Sequence, residues 1–314
     1  KDVSHEELQI LKSFPIFNKG RNQGGLIPEL RSARSSLFGE LAKVTLGRFK
    51  QDNITPHNGI ELNFNQYLKG EQGLQVYYRG IPVKSDLNMP STTGKDVVTT
   101  ININLQDAVE DALRSKLEEK RARWGTAVLM EVSTGKVKAI ANLHKVPETN
   151  NRYTDSKNHA IVSAIPPGST FKLATLISLI TDGYSVSDTI DTEDGSYEFT
   201  NLDYSLNDTK RGGYGEITLG EVFVKSSNIG FAKSVYSLYR NDNKKFVDNL
   251  EVMGLTTPLD IQLSYQNNML VKTVDREDWW GSTLPAMSIG YEMRLSPLHI
   301  LTFYNAFANN GKML

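Results

Sequence analysis

The chain of 314 residues contains no cysteine. Disulfides, thiolate zinc sites and cysteine nucleophiles are excluded in one step. A cysteine-free chain suits an oxidising, exported setting, though the count alone does not fix the compartment. An excess of one charge is lacking as well: Lys+Arg total 35 and Asp+Glu 36, for a formal net charge of −1. A general nucleic-acid binder needs a basic surplus to neutralise phosphates, so that class is disfavoured. The five histidines (His5, His57, His144, His159 and His299) are scattered, without HExxH or paired spacing, and no metal site is expected. No apolar run approaches the ~18–20 residues that span a bilayer. The densest, Leu173–Ile180, is short and broken by hydroxyls. The chain begins at Lys1 without a signal-peptide pattern, so the expectation is a soluble chain, or a soluble piece of a longer one whose membrane anchor has been trimmed.

Hydrophobic residues make up 39% and charged residues 23%, enough apolar surface for a packed core. The length suggests about two domains. Residues 1–93 are rich in Gly and Pro, with short β-like runs such as Leu74–Tyr78 and a helical pattern around Phe64–Lys69. They read as an irregular α+β module without a large core of its own, ending in a linker, Asn88–Gly94. From Lys95 the pattern sharpens. Asp96–Ile101 reads as a strand, and Asn104 caps a helix to about Arg121, with Leu105, Val109, Leu113 and Leu117 on its apolar face. Glu110 and Arg114 form an i,i+4 pair on the wet side of that helix. Thr126–Val132 and Lys136–Asn142 read as a hairpin, and Ser169–Thr181 as a helix behind the rigid turn Pro166-Pro167-Gly168. The polar stretch Asp182–Glu216 is too long for a plain loop, so a hairpin or functional excursion is expected. Helices follow at Asn228–Arg240 and after Ser296-Pro297, where Ser is the N-cap and Pro the first helical residue. The fold class is α+β, an antiparallel sheet with helices packed on it.

The sharpest chemical site is Pro166-Pro167-Gly168-Ser169-Thr170-Phe171-Lys172. At i and i+3 on a helix, Ser169 and Lys172 share a face. Free N–H groups at a helix start can stabilise an oxyanion, and a lysine one turn on can take the serine proton if burial lowers its pKa. Ser-x-x-Lys alone is weak, since Ser133-Thr134-Gly135-Lys136 matches it too, but that copy falls in a hairpin turn that aligns nothing. A second element is Ser226-Ser227-Asn228. It reads either as a plain N-cap or as a proton-relaying hydroxyl with an amide that holds a substrate carbonyl. Ser-x-Asn also occurs at Ser156–Asn158 and Ser205–Asn207, in polar loops, and only Ser226–Asn228 precedes an apolar helical run.

Together, Ser169–Lys172 and Ser226–Asn228, 57 residues from serine to serine, resemble the active-site boxes of penicillin-binding proteins and serine β-lactamases. Further matches narrow the resemblance to class B penicillin-binding proteins. Val97–Asn102 with Leu105-Gln106-Asp107 resembles the strand and helix that open their transpeptidase domain, and Thr126–Ala139 their central hairpin. Ser288–Leu298 and Asn309-Asn310-Gly311 resemble the segment and helix after the second box, while Gly59-Ile60-Glu61 and Tyr67–Gly70 resemble the end of their N-terminal pedestal. Arg34 and Phe38-Gly39 match that pedestal only loosely, and by analogy Arg34 and Glu61 form a structural ion pair. The family's third box, Lys-[Ser/Thr]-Gly, does not occur in the 314 residues. Lys272-Thr273-Val274 lacks its glycine and precedes the Ser296 helix, so the box is expected beyond Leu314.

The resemblance implies a pedestal at 1–93 and a transpeptidase domain at 94–314. It implies a D,D-transpeptidase that cross-links peptidoglycan stem peptides ending in D-Ala-D-Ala, with no metal or organic cofactor. Ser169 is the nucleophile, Lys172 the base, Ser226 a proton relay and Asn228 the orienting amide, and β-lactam antibiotics acylate Ser169 as substrate mimics. The Ser-Ser-Asn box leans toward a division-type enzyme in the periplasm, anchored in the cytoplasmic membrane by an N-terminal helix. A membrane glycosyltransferase and the division machinery are the partners it implies, and no nucleic acid. Two alternatives stay open: a serine β-lactamase or β-lactam sensor domain, which shares the first boxes, and a non-catalytic cell-wall scaffold.

Overall fold

The structure is a computed structural model that describes residues 3–19, 23–28, 38–50, 55–71, 73–74, 76–78, 81–89, 92–147, 152–265 and 268–314. Contacts divide the chain into one compact unit of residues 1–37 and 49–55 and another of residues 38–48 and 56–314. In the first, helix α1 (His5–Ser13) starts at a reciprocal cap: Ser4 Oγ accepts from Glu7 N at 3.2 Å, and Glu7 Oε2 accepts from Ser4 N at 2.8 Å. A 3₁₀ turn over Phe17–Lys19 follows.

The second unit opens with three short helices, α2 (Lys43–Leu46), α3 (Gly59–Asn63) and α4 (Asn65–Leu68), of which only the last falls in the helical pattern expected around Phe64–Lys69. The β-like run shrinks to β1 (Tyr77–Tyr78) against β2 (Ile81–Pro82). The linker reading of 88–94 is corrected. Met89 bridges Leu74, Thr92 bridges Glu71, and the Asn88 amide bonds the backbone of Val76 and Val83, so the segment is tied down. Arg34 lies outside the described residues, and with it the ion pair expected with Glu61.

Residues 96–101 join no ladder among the described residues. Thr100 Oγ1 donates to Val137 O (2.6 Å) and the following Asn102 N to Lys138 O (2.8 Å), but the strand reading is not realised. Helix α5 (Ile103–Lys120) is capped by Asn102, not Asn104. The Glu110–Arg114 pair forms at 3.1 Å, yet Glu110 is buried and its carboxyl is pushed up by that burial, with Arg114 opposing. That face of α5 is therefore covered. The helix lies on the hairpin β3 (Trp124–Met130) and β4 (Val137–Lys145), to which β5 (Tyr153–Thr154) adds a short edge. Buried Gln106 gives α5 its register: its amide donates to Ile140 O at 3.2 Å and accepts from Ile140 N at 2.8 Å, satisfying a backbone pair of β4.

Helix α6 (His159–Val162) leads through Pro166-Pro167 into a 3₁₀ turn (Gly168–Phe171) and α7 (Lys172–Thr181). The polar excursion resolves into hairpins, β6 (Thr189–Asp191) with β9 (Glu216–Thr218) and β7 (Ser196–Phe199) with β8 (Tyr204–Asn207). Then come α8 (Leu219–Val224), α9 (Asn228–Tyr239) and α10 (Asn243–Val252). The chain continues through β10 (Leu270–Val271), α11 (Thr283–Met287), β11 (Met293–Arg294) and α12 (Pro297–Ala308). Ser296 caps α12 with Pro297 as its first residue, as the sequence predicts. The largest core joins Phe171, Leu179, Phe231, Val235, Tyr239, Phe246 and Met287 around α9, burying the helices that present the two motifs. The α+β class holds: helices pack on antiparallel ladders.

Candidate active site

Three segments meet at the start of α7. Lys172 is the first α-helical residue there and is 2% exposed. Its Nζ donates to Asn228 Oδ1 at 2.7 Å, to Ser226 O at 2.7 Å and to Ser226 Oγ at 3.1 Å. Burial lowers its pKa to about 8, against the opposing pull of the Asp208 carboxylate. The structure thus brings Lys172, Ser226 and Asn228 into one hydrogen-bonded cluster. Ser169, in the preceding 3₁₀ turn, is exposed, and its carbonyl accepts the N–H of Lys172. Among the described residues its hydroxyl has no hydrogen bond with Lys172, whose three donors all point to the second motif. Such bonds are often long before substrate arrives.

The Ser226 backbone explains how the second motif reaches Lys172. Helix α8 ends with Ser226 N bonded to Phe223 O and Ser227 N bonded to Val222 O, each at 3.0 Å, while Ser226 sits at φ +54°. This is a Schellman ending, with serine in the left-handed position that usually holds glycine. Ser226 turns its carbonyl and hydroxyl to Lys172, and Ser227 turns the other way. Ser227 Oγ accepts from Gly230 N at 2.9 Å, capping α9, and donates to Asp208 Oδ2 at 2.7 Å. The N-cap reading of the motif is realised on Ser227, while the adjacent Ser226 faces Lys172.

Asp208 is the participant that sequence reasoning missed. It follows β8 and is nearly buried. Its Oδ1 accepts the N–H of Asn228 at 2.5 Å and of Ile229 at 3.2 Å, at the start of α9 where donors are free. Asn207 O, beside it, accepts from Asn228 Nδ2 at 2.8 Å. The polar excursion thus clamps the Asn228 amide. Nothing in a string of Asp, Asn and Ser marked this carboxylate out from the other acids.

The Ser169 turn is held from the far side by 288–295. Gly168 N donates to Gly290 O at 3.0 Å, Thr175 Oγ1 to Ser288 O at 2.7 Å, and Ile165 bridges Leu295. Gly290 has φ +83°, and a Cβ there would overlap the Gly168 carbonyl. Tyr304 of α12 donates to Thr170 O at 2.8 Å. Neither decoy joins the site. Ser133 and Lys136 are exposed in the β3–β4 turn, and Lys272 is paired with Asp278 and Glu292.

Residues 125–314 match the model of the penicillin-binding protein transpeptidase domain. That is more than half of the chain, and the chain belongs to this family, in its class B branch. It is 27% identical over 299 residues to the penicillin-binding protein PbpB of Mycobacterium tuberculosis, covering 90% of this chain and 43% of that protein. It is 26% identical over 263 residues to the peptidoglycan D,D-transpeptidase FtsI of Escherichia coli K12, covering 81% and 42%. The chain spans less than half the length of these relatives. Among solved structures, penicillin-binding protein 3 of M. tuberculosis complexed with aztreonam superimposes with a TM-score of 0.70 at 25% identity, covering 87% of this chain and 57% of that one. The transpeptidase domain of penicillin-binding protein 3 from Burkholderia pseudomallei superimposes at 0.57 with 21% identity, covering 68% and 59%.

Proposed function

We propose that this chain carries the acyl-transfer centre of a peptidoglycan D,D-transpeptidase. The observation that carries the reading is the buried Lys172 ammonium, bonded to Ser226 and Asn228 one turn after an exposed Ser169. With its pKa lowered to about 8, Lys172 is a usable base near neutral pH. Ser169 Oγ attacks the penultimate carbonyl of a D-Ala-D-Ala stem as its proton passes to Lys172. The tetrahedral oxyanion lies against N–H groups of the 3₁₀ turn. The C–N bond then breaks, and D-Ala leaves with a proton relayed through Ser226. An amine of a neighbouring stem attacks the acyl-serine, gives up a proton by the same relay, and regenerates Ser169. Asn228, its Oδ1 held by Lys172 and one N–H by Asn207, keeps its second N–H for a substrate carbonyl. A β-lactam follows the first half of this path and stays attached.

Division of the chain into a pedestal (1–93) and a transpeptidase domain (94–314), a division role, an extracytoplasmic location with a membrane anchor, and partnership with a membrane glycosyltransferase belong to the same reading. Among the described residues no helix is long and apolar enough to cross a membrane. Fluorescent penicillin with intact-mass detection tests the centre. The expected result is one adduct on Ser169, lost in Ser169→Ala. Equal labelling of Ser169→Ala sinks the assignment, and rapid turnover of a chromogenic cephalosporin favours the β-lactamase alternative.

A further inference from the structure

A cavity of about 710 Å³ opens where β3 begins and β4 ends, walled by α6 and β11, and no step above uses it. Arg123, Lys157 and Arg294 line it, together with His144, His159 and Trp124, and its described lining includes no Asp or Glu. The three cationic side chains have no hydrogen bond or ion pair among the described residues. Elsewhere in the second unit several lysines are paired with an acid, as Lys225 is with Glu221 and Lys244 with Asp248. Three cations around one cavity, with no acid in its described lining, raise a local positive potential that favours an anion.

The floor supplies the second observation. The His159 ring lies parallel to Trp124 at 4.1 Å and to His144 at 5.8 Å, and is 4% exposed. Its Nδ1 is 2.9 Å from Ser163 Oγ, while Nε2 is buried without a partner among the described residues. With the Ser163 hydroxyl donating to Nδ1, Nε2 carries the proton and is an unused donor. Leaving a buried donor unpaired is costly, so an acceptor is expected there. Burial, with the charges of Lys157 and His144, lowers the His159 pKa to about 4, so the ring is neutral and acts as a donor, not a fourth cation.

We propose that this cavity binds a phosphate-bearing ligand, with Arg123, Lys157 and Arg294 neutralising the anion and His159 Nε2 donating to one of its oxygens. Three unopposed cations favour a group of charge near −2 over a single carboxylate, and a phosphomonoester carries about −1.5 to −2 at neutral pH. The volume exceeds that of a bare phosphate and falls in the range of small-molecule sites. Trp124 offers an apolar wall to whatever the phosphate is attached to.

The test uses the full-length protein at low salt, with inorganic pyrophosphate as the soluble probe, acetate as the monoanion control, and phosphatidic-acid vesicles as the lipid-borne form of the same headgroup. Binding is read by calorimetry and by the His159 ring resonance in NMR. Pyrophosphate is expected to bind saturably, more tightly than acetate, and to raise the His159 pKa. Arg123→Gln, Lys157→Gln and Arg294→Gln are each expected to weaken it by about threefold or more, the scale of a partly exposed ion pair. Binding of pyrophosphate alone identifies a soluble ligand, and binding of vesicles as well identifies a lipid headgroup. Ser169→Ala leaves either unchanged, so the result stands apart from the acyl-transfer reading. Absence of saturable binding by both probes, equal affinity for acetate, or indifference to all three substitutions overturns the proposal.

Discussion

Acylation of Ser169 should titrate with the base that drives it, and the structure puts a number on that base. Lys172 is 2% exposed, and burial brings its pKa to about 8. Free base is then about one eleventh of the population at pH 7 and about ten elevenths at pH 9. The second-order acylation rate with a fluorescent penicillin should rise about tenfold across that interval, with a midpoint near 8 and a plateau above 9. A lysine at its ordinary ~10.4 would instead give nearly a hundredfold rise without a plateau. Asp208 supplies a second perturbation. Its carboxylate works against burial, so removing it should lower the Lys172 pKa further. Asp208→Asn keeps an acceptor oxygen for the N–H groups of Asn228 and Ile229, so the geometry is largely retained. The variant's midpoint should move below 8, with a lower plateau because charge-assisted bonds at the α9 start are weakened, at a cost of about 1–2 kcal/mol in stability. Stopped-flow acylation from pH 6 to 9.5, corrected for spontaneous β-lactam hydrolysis, gives both midpoints. A wild-type profile still climbing at pH 9.5, or an Asp208→Asn midpoint above wild type, would refute the assignment of Lys172 as the buried base.

Gly290→Ala places a methyl group against the Gly168 carbonyl at φ +83°, so acylation should fall at least about tenfold and stability by more than about 2 kcal/mol, read by labelling and chemical denaturation. Ser226→Gly relieves a left-handed serine and should stabilise the fold by up to about 1 kcal/mol while acylation drops, because Lys172 loses its hydroxyl partner. Burial, opposed by the Val44 N–H bond and Arg48 and aided by Glu110 and Glu40, raises the Asp155 pKa to about 7. Between about pH 4 and 7 the folded state therefore holds a proton the unfolded chain has lost, so this stabilising contribution disappears as pH rises through 7. Asp155→Asn should raise thermal stability at pH 8 by about 2–4 kcal/mol and change little near pH 4, and an equal shift at both pH values would remove burial as the cause.

Local chemistry was legible where it was carried by residues close in sequence. The Ser296-Pro297 cap, the β3–β4 hairpin and the apolar run behind Ser169 all formed near their expected bounds. Long-range closure was not legible. Residues 96–101 have strand-like composition, but pairing with β4 depends on a distant part of the chain, and the described residues form no ladder there. Helical period places Glu110 on the wet side, yet it is buried and meets the backbone of Ala42 in the same unit, a contact no periodicity encodes. Asp208 was invisible for the same reason, since its value lies in meeting α9 from 20 residues away.

The positions where local rules fail coincide with the chemistry. A Schellman position favours glycine, and here a serine holds it. A helix start favours an acid or a hydroxyl, and α7 begins with a buried lysine. Both choices cost stability, and each compensates the other: the left-handed Ser226 exposes the carbonyl that receives the lysine, and the lysine satisfies that carbonyl. Ser227 and Asp208 then fix the turn from behind, so that Ser226 cannot relax by rotating α9. The arrangement leaves Lys172 with acceptors enough to stay buried, and among the described residues no carboxylate is paired with it directly. An ion pair in direct contact would raise its pKa and oppose the proposed role as a base. The separation of roles between adjacent serines therefore matters as much as the motif itself. Ser227 takes the acid, and Ser226 is left to face Lys172.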